Sequence, residues 1–172
     1  TGYEHKYEYC DLLITGSGPS GLASAYAAAQ NGAKVILAED KSRFGGSLLT
    51  SEVTIGNQSG HEWAEKIISE LKSMPNVVVK NRSQVFGYYD HNMLVMSERI
   101  SDHLPKTEKY IPKQRLWYIR AKEVIISSGS IERPLVFGNN DTPGVMLSSA
   151  AKEYLKVYGV LVGKKPIVFT NN

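Results

Sequence analysis

The sequence predicts an α/β fold: a mostly parallel sheet with helices against it and an inserted three-stranded antiparallel meander. Three observations carry that reading. Residues 10–15 form an apolar run that ends in Gly16-Ser17-Gly18-Pro19-Ser20-Gly21 and passes directly into an alanine-rich stretch. A second apolar run, residues 34–38, follows one helix length later and ends in Glu39. Farther on, residues 84–89, 93–98 and 115–121 each read as strands, with a turn at Asp90-His91-Asn92.

Bulk properties narrow the function classes. The chain has 172 residues, 42% of them hydrophobic, enough for one domain with a real core. A net charge of +3 without any Lys/Arg block speaks against nucleic acid. Cys10 is the single cysteine, which excludes an intrachain disulfide and a thiolate metal cluster; it reads as a packing residue. His5, His61, His91 and His103 are scattered without metal-binding spacing, so no metal is expected. There is no apolar run of bilayer length and no signal peptide, so the expectation is a cytoplasmic protein without membrane contact. The chain starts at Thr1 and ends at Thr170-Asn171-Asn172, and is expected to be a piece of a longer polypeptide.

Taken in order, residues 1–9 read as a linker or extended arm, and residues 10–164 as one dinucleotide-binding domain of Rossmann type. In the glycine turn, Gly16 permits the tight bend. Gly18 lets backbone approach a pyrophosphate, and Gly21 lets the helix pack on the strand. Pro19 fits the first helical turn, where a missing N–H costs nothing. The helix ends near Gln30, at Asn31-Gly32. Its N-terminus aims amides and a positive dipole end at an anion. Residues 34–38 are then a second parallel strand, and Glu39 at its end is placed to accept the hydroxyls of an adenosine ribose, disfavouring a 2′-phosphate. Arg43 is the one feature that softens that preference. The Gly45-Gly46 pair offers a second close backbone approach, with a flexible loop as the plain alternative.

Residues 61–73 carry Trp63, Ala64, Ile67, Ile68 and Leu71 at helical spacing, a core-facing stripe. Residues 77–79 are a third short parallel strand. The meander spans about 84–121. Its aromatics Phe86, Tyr88, Tyr89, Trp117 and Tyr118 fit ordinary half-exposed strands better than a cofactor wall. Residues 123–128 read as another buried strand, ending in Ser128-Gly129. Residues 148–158 read as an amphipathic helix. Residues 165–172 read as the first strand of a truncated second nucleotide-binding domain.

The glycine turn, Glu39, Gly45-Gly46 and the strand ending Ser127-Ser128-Gly129 stand in one order. Together they resemble the first half of the two-dinucleotide-binding-domain flavoprotein superfamily, whose Rossmann-like domain binds FAD or NAD(P). The usual Ala-Thr-Gly is Ser-Ser-Gly here, which keeps a hydroxyl. Longer runs resemble the α subunit of heterotetrameric sarcosine oxidase: Phe86 to Asn92, Gln114 to Trp117, Ile131 to Phe137, and Asn140-Asp141-Thr142-Pro143-Gly144-Val145-Met146.

That resemblance implies a subunit of a complex that oxidises sarcosine to glycine, with formaldehyde or methylene-tetrahydrofolate and hydrogen peroxide as the other products. It implies FAD and FMN elsewhere in the complex, β, γ and δ partner subunits, and a tetrahydrofolate site in a C-terminal α domain absent from this sequence. It also implies that this piece binds NAD and carries no catalytic residue. Gly16, Gly18, Pro19, Ser20 and Gly21 would hold the pyrophosphate, and Glu39 the ribose, with Asp40 beside it. Gly46 and Ser47 would line the far side of the dinucleotide. Val85 would offer backbone to adenine, and Ser128 and Gly129 would close the pocket. FAD is the alternative ligand, because the ADP half of either cofactor asks for the same cradle. Two other readings are the FAD-binding half of a reductase of the thioredoxin-reductase or nitrile-reductase type and a non-catalytic scaffold. The first lacks the Cys-x-x-Cys of a disulfide reductase; intact glycines and Glu39 weigh against the second.

Overall fold

The structure, a computed structural model, describes residues 2–106 and 110–170. In chain order the elements are β1 (Tyr3–Thr15), α1 (Pro19–Gln30), β2 (Val35–Ala38), a 3-10 turn (Gly46–Leu49), β3 (Thr54–Ile55), β4 (Gln58–Ser59), α2 (Gly60–Ser73), β5 (Val77–Lys80), β6 (Ser83–Tyr89), a second 3-10 turn (Asp90–Asn92), β7 (Met93–Arg99), β8 (Gln114–Ile126) and α3 (Ser148–Tyr158). Strands β3 and β4 form a small hairpin; the other six make one sheet in the order β5-β2-β1-β8-β7-β6. The β5, β2, β1 and β8 neighbours run parallel, whereas β8-β7-β6 is antiparallel.

The two faces of the sheet bury different things because successive side chains alternate. Ile14, Val35 and Leu37 point to one face and meet Leu22 and Ala25 of α1 and Ile67, Ile68 and Leu71 of α2. Leu13, Ile36 and Ala38 point the other way and meet Leu94 and Met96 of β7 and Trp117 and Ile119 of β8. The sheet therefore curls until its own meander covers the back of its parallel half. Asp11 marks the point where β2 joins. Its carboxylate accepts from the Lys34 amide at 2.8 Å and pairs with Lys122 at 2.8 Å.

At the inner edge of the meander Glu98 is only 8% exposed, yet it is fully partnered. It pairs with Lys80 (2.8 Å) and accepts from the Trp117 indole N–H (2.7 Å) and from Arg115 (3.3 Å). Lys6 lies over the Trp117 ring, 4.3 Å from its centroid. A buried carboxylate is tolerable only with such a set of donors.

Several sequence expectations change here. Residues 3–9 are no linker: they are the first part of β1 and pair with 114–120 of β8. The expected strands 115–121 and 123–128 are one strand, β8, which ends at Ile126. One long strand forms because β1 beside it is equally long and supplies a ladder partner for every β8 residue except Lys122. The expected three-stranded antiparallel meander is present as β6, β7 and β8, continuous with the parallel strands in one sheet. No strand forms over 166–170, where Ile167 is 96% exposed and no neighbouring strand offers a ladder; residues 171–172 of that expectation lie outside the described residues. Among the aromatics, Trp117 is buried (1% exposed), Phe86, Tyr88 and Tyr89 are exposed, and Tyr118 stacks on Tyr7 at 5.0 Å.

Helix α3 has no fully buried residue and is held at its ends. Glu132 caps it, accepting from the amides of Ser148 (3.3 Å) and Ser149 (2.7 Å). Lys41–Glu153 (2.8 Å) and Lys156–Glu52 (2.9 Å) tie its body down. The Ser149 and Ser148 hydrogen bonds pull the Glu132 carboxyl down to about 2. That lowered value means the cap is complete above the ordinary carboxyl range and is lost as pH falls from about 4.5 toward about 2. The protection of the Ser148 and Ser149 amides against exchange, relative to their intrinsic rates, should fall across that window, and Glu132→Gln should remove that change in protection.

Two further outcomes test the core. Trp117→Ala should cost about 3–5 kcal/mol in urea unfolding. Burial pushes the Cys10 thiol up to about 12, so a thiol reagent near neutral pH should label it only after denaturation.

Candidate functional site

The site begins where β1 stops. The Gly16 amide donates to the Ala38 carbonyl (2.8 Å) and Ser127 donates to the Thr15 carbonyl (2.8 Å), so the turn is pinned between β2 and the segment after β8. Gly16 has φ +98, and a Cβ there would lie 2.3 Å from the Ser127 carbonyl oxygen. At Gly21 a Cβ would lie 1.9 Å from the Gly16 carbonyl oxygen. Both positions demand glycine for close backbone packing. Gly18 differs: nothing of the protein lies within 4 Å of its would-be Cβ. Its missing side chain leaves open space at the mouth of the loop.

That space faces the start of α1. Gly18 is the N-cap and provides no side-chain cap; Pro19 lacks an N–H, and the first turn has no acidic residue. Helix geometry leaves the Ser20 and Gly21 amides without an intrahelical acceptor. The other two helices close this position with carboxylates. Ser59 and Glu62 form a capping box on α2, and Glu132 caps α3. Among the described helices, α1 alone leaves its positive end for an outside anion.

Glu39, at the end of β2, is 5% exposed. Its Oε2 accepts from the Ser17 amide (2.9 Å) and the Ser17 hydroxyl (2.5 Å), and its Oε1 accepts from the Lys41 amide (2.9 Å). Burial, then the adjacent Asp40 carboxyl, raises the Glu39 carboxyl above its ordinary value; the Ser17 and Lys41 bonds oppose that rise. Three of the four lone-pair positions on the carboxylate are therefore filled by Ser17 and Lys41, and the Asp40 carboxyl stands within hydrogen-bonding reach of the same group.

The second glycine pair packs on the same corner. Gly46 has φ +52, and a Cβ there would lie 2.9 Å from the Gly18 Cα. The pair thus brings the 44–49 segment against the glycine turn itself. The Gly45 amide donates to both the Ser17 carbonyl and the Ser17 hydroxyl at 3.1 Å. Ser47 is exposed beside it, with its carbonyl spent on Thr50 and Ser51. Val85 turns its side chain into the second core, at a bulge between Val85 and Gly87. Ser83, two residues earlier, donates to the Glu39 carbonyl at 2.7 Å, which brings β6 to the same corner. Ser128 and Gly129 are exposed just past β8, and it is Ser127 that touches Gly16.

Sequence reading missed Ser17, Lys41 and Ser127. Ser17 occupies a variable place in the glycine pattern, so only its burial and its hydrogen bonds to Glu39 and Gly45 reveal it. A cavity of about 390 Å³ lies between the 43–49 segment and α2, lined by Arg43, Phe44, His61 and Glu65. It includes no residue of the glycine turn, so a dinucleotide held by α1 would lie outside it. His91 is a turn residue with φ 59, and Arg133 is exposed; neither reaches this corner.

Residues 11–103, more than half of the chain, match the family model described as FAD dependent oxidoreductase. The chain is 45% identical over 170 residues to the sarcosine oxidase subunit alpha of Rhizobium meliloti (strain 1021), covering 99% of this chain and 17% of that protein. It is 37% identical over 172 residues to the sarcosine oxidase subunit alpha of Corynebacterium sp. (strain P-1), covering 99% of this chain and 18% of that one. The chain thus spans less than a fifth of the length of these curated relatives. Among solved structures, L-proline dehydrogenase from P. horikoshii has the same fold, with a TM-score of 0.75 at 24% identity over 93% of this chain and 31% of that one.

Gly21 and Gly18 should respond differently to a methyl group. Gly21→Ala should destabilise the fold by about 1–3 kcal/mol, measured by urea unfolding, because backbone occupies the new atom's place. Gly18→Ala should leave stability within about 1 kcal/mol of the parent while weakening adenosine-dinucleotide binding in calorimetry.

Proposed function

The chain belongs to the FAD-dependent oxidoreductase family, and on that premise we propose that it is the adenosine-dinucleotide-binding portion of a sarcosine oxidase α subunit. One observation carries the proposal. The N-terminus of α1 is the helix start without a carboxylate cap, and it opens beside Gly18, with Glu39 ahead on the neighbouring strand. Pyrophosphate fits the first feature and a ribose hydroxyl the second.

The division of labour follows from the residues. The amides at Ser20 and Gly21 and the helix dipole hold the pyrophosphate, Gly18 keeps the approach clear, and Glu39 orients the ribose. The negative charge of Glu39 and Asp40 rejects a 2′-phosphate. A bound nicotinamide or flavin ring supplies the hydride or electron transfer; this chain fixes the adenosine end. NAD is the ligand we assign to this portion, following the resemblance to the α subunit. FAD is the second reading, favoured by the family's own description. Oxidation of sarcosine to glycine, with formaldehyde or methylene-tetrahydrofolate and hydrogen peroxide, belongs to the whole assembly. So do its FAD, FMN and tetrahydrofolate and its β, γ and δ subunits. The portion alone is inactive.

The test is to purify the full-length protein with its partner subunits, release the bound nucleotides and identify them by mass. NAD in proportion to the α subunit supports the assignment, and its loss in Gly18→Ala places it in this site. Flavin lost instead in Gly18→Ala makes FAD the ligand, and no nucleotide affected by that variant leaves the scaffold reading. Glu39→Ala should weaken dinucleotide affinity by about tenfold or more; unchanged affinity removes the ribose contact.

A further inference from the structure

We infer that Ser17 is a positioning residue for dinucleotide recognition: its amide and hydroxyl hold one oxygen of Glu39 and so fix the direction in which the carboxylate meets a ribose hydroxyl. This inference rests on the reading of the corner as an adenosine-dinucleotide site.

Three segments meet on this side chain, which is fully buried. Its hydroxyl donates to Glu39 Oε2 at the end of β2 (2.5 Å) and accepts from the Gly45 amide (3.1 Å). Its own amide donates to the same Glu39 oxygen (2.9 Å). The carboxylate thus cannot rotate without losing both Ser17 bonds, and its orientation is fixed. The same two bonds stabilise the ionised form in a place where burial disfavours it. A ribose hydroxyl is a donor, so it asks for an ionised acceptor in a defined direction. Ser17 supplies both conditions without touching the ligand.

The charged groups around Glu39 leave this role to Ser17. Asp40, on the same segment, is a carboxyl and works against ionisation. Lys41 reaches Glu39 with its backbone amide, while its ammonium is bound to Glu153 of α3. Lys80, opposite Ala38 on β5, has its ammonium bound to Glu98. Arg82, at the start of the β6 side, meets this segment through its amide, which donates to the Lys41 carbonyl.

Ser17→Ala tests the role cleanly, because the Gly45 amide keeps the Ser17 carbonyl as acceptor and is not orphaned. NAD and FAD binding to the full-length protein, with its partner subunits and stripped of bound nucleotide, is measured by calorimetry from pH 5 to 9. Four proteins are compared: the parent, Ser17→Ala, Glu39→Gln and the double variant. The expected result is a loss of about tenfold in affinity for Ser17→Ala at neutral pH. The midpoint of its pH profile moves to higher pH, with more proton released on binding. In the Glu39→Gln background the same serine change should have little effect, because the ionisable partner is gone. An equal loss in both backgrounds, or an unmoved midpoint, reduces Ser17 to a structural filler and overturns the inference. Parent protein that binds neither dinucleotide overturns the site reading itself. If Ser17→Ala does not fold, Ser17→Cys, which keeps the volume and weakens the donor, should give the same displacement of the pH profile; an unmoved profile there overturns the role.

Discussion

Backbone meeting backbone at the end of β1 is the constraint on which the rest depends. The Gly16 carbonyl lies where a Gly21 Cβ would be, and the Ser127 carbonyl lies where a Gly16 Cβ would be. Two missing side chains let a helix start, a strand end and the exit from β8 share one small volume. That packing fixes the axis of α1, and the axis decides where its unpartnered amides point. Had either position carried a methyl group, the helix would stand off from the sheet, and its positive end would no longer face the acid on β2.

A second layer of order is built on the first. Once α1 covers one face of the parallel strands, the other face still presents Leu13 and Ile36. The chain solves this with its own meander, curling the sheet until Leu94, Met96 and Trp117 close over them. Because β6 then arrives at the Glu39 backbone, the two layers are not independent: the amide of Ser83 bonds to the residue whose carboxylate belongs to the site. The polar ring around Trp117 holds this return. Glu98 anchors the indole N–H and the ammonium of Lys80 on the strand beside β2.

Much of this was legible in the sequence, for reasons that are local. Gly16, Gly18 and Gly21 stand at the glycine-turn spacing between an apolar run and a helix, with Glu39 and Gly45-Gly46 following in order, and the apolar runs at 10–15 and 34–38 mark buried strands. The helices at 19–30, 61–73 and 148–158 announce themselves by stripe and stop signal, to within a residue at each end. What escaped was non-local. Nothing in the polar, tyrosine-rich start shows that it pairs along 114–120, because its ladder partner lies more than a hundred residues away. The break read near Lys122 is no break, since Lys122 meets Asp11 across the ladder. Glu132 caps a helix sixteen residues downstream, far beyond any capping motif a local pattern could hold. Within the site, the glycine spacing pointed to the cradle, but Ser17 sits at a place where the pattern tolerates any small residue.

The continuity of β8 bears on how such a chain can change length over evolutionary time. Thirteen residues run in one register against β1, with Trp117 and Ile119 inward and Tyr118 outward. A single insertion anywhere along that strand would exchange the two faces for every residue on one side of it. It would also shift Ser127 away from Gly16, so an indel some thirty ångströms from the glycine turn would be felt there at about 3.3 Å per residue. The connection between β7 and β8 carries no such penalty, since an added residue there leaves both registers intact. Length variation among relatives should therefore collect in that connection, and β8 should read as a stretch of fixed length.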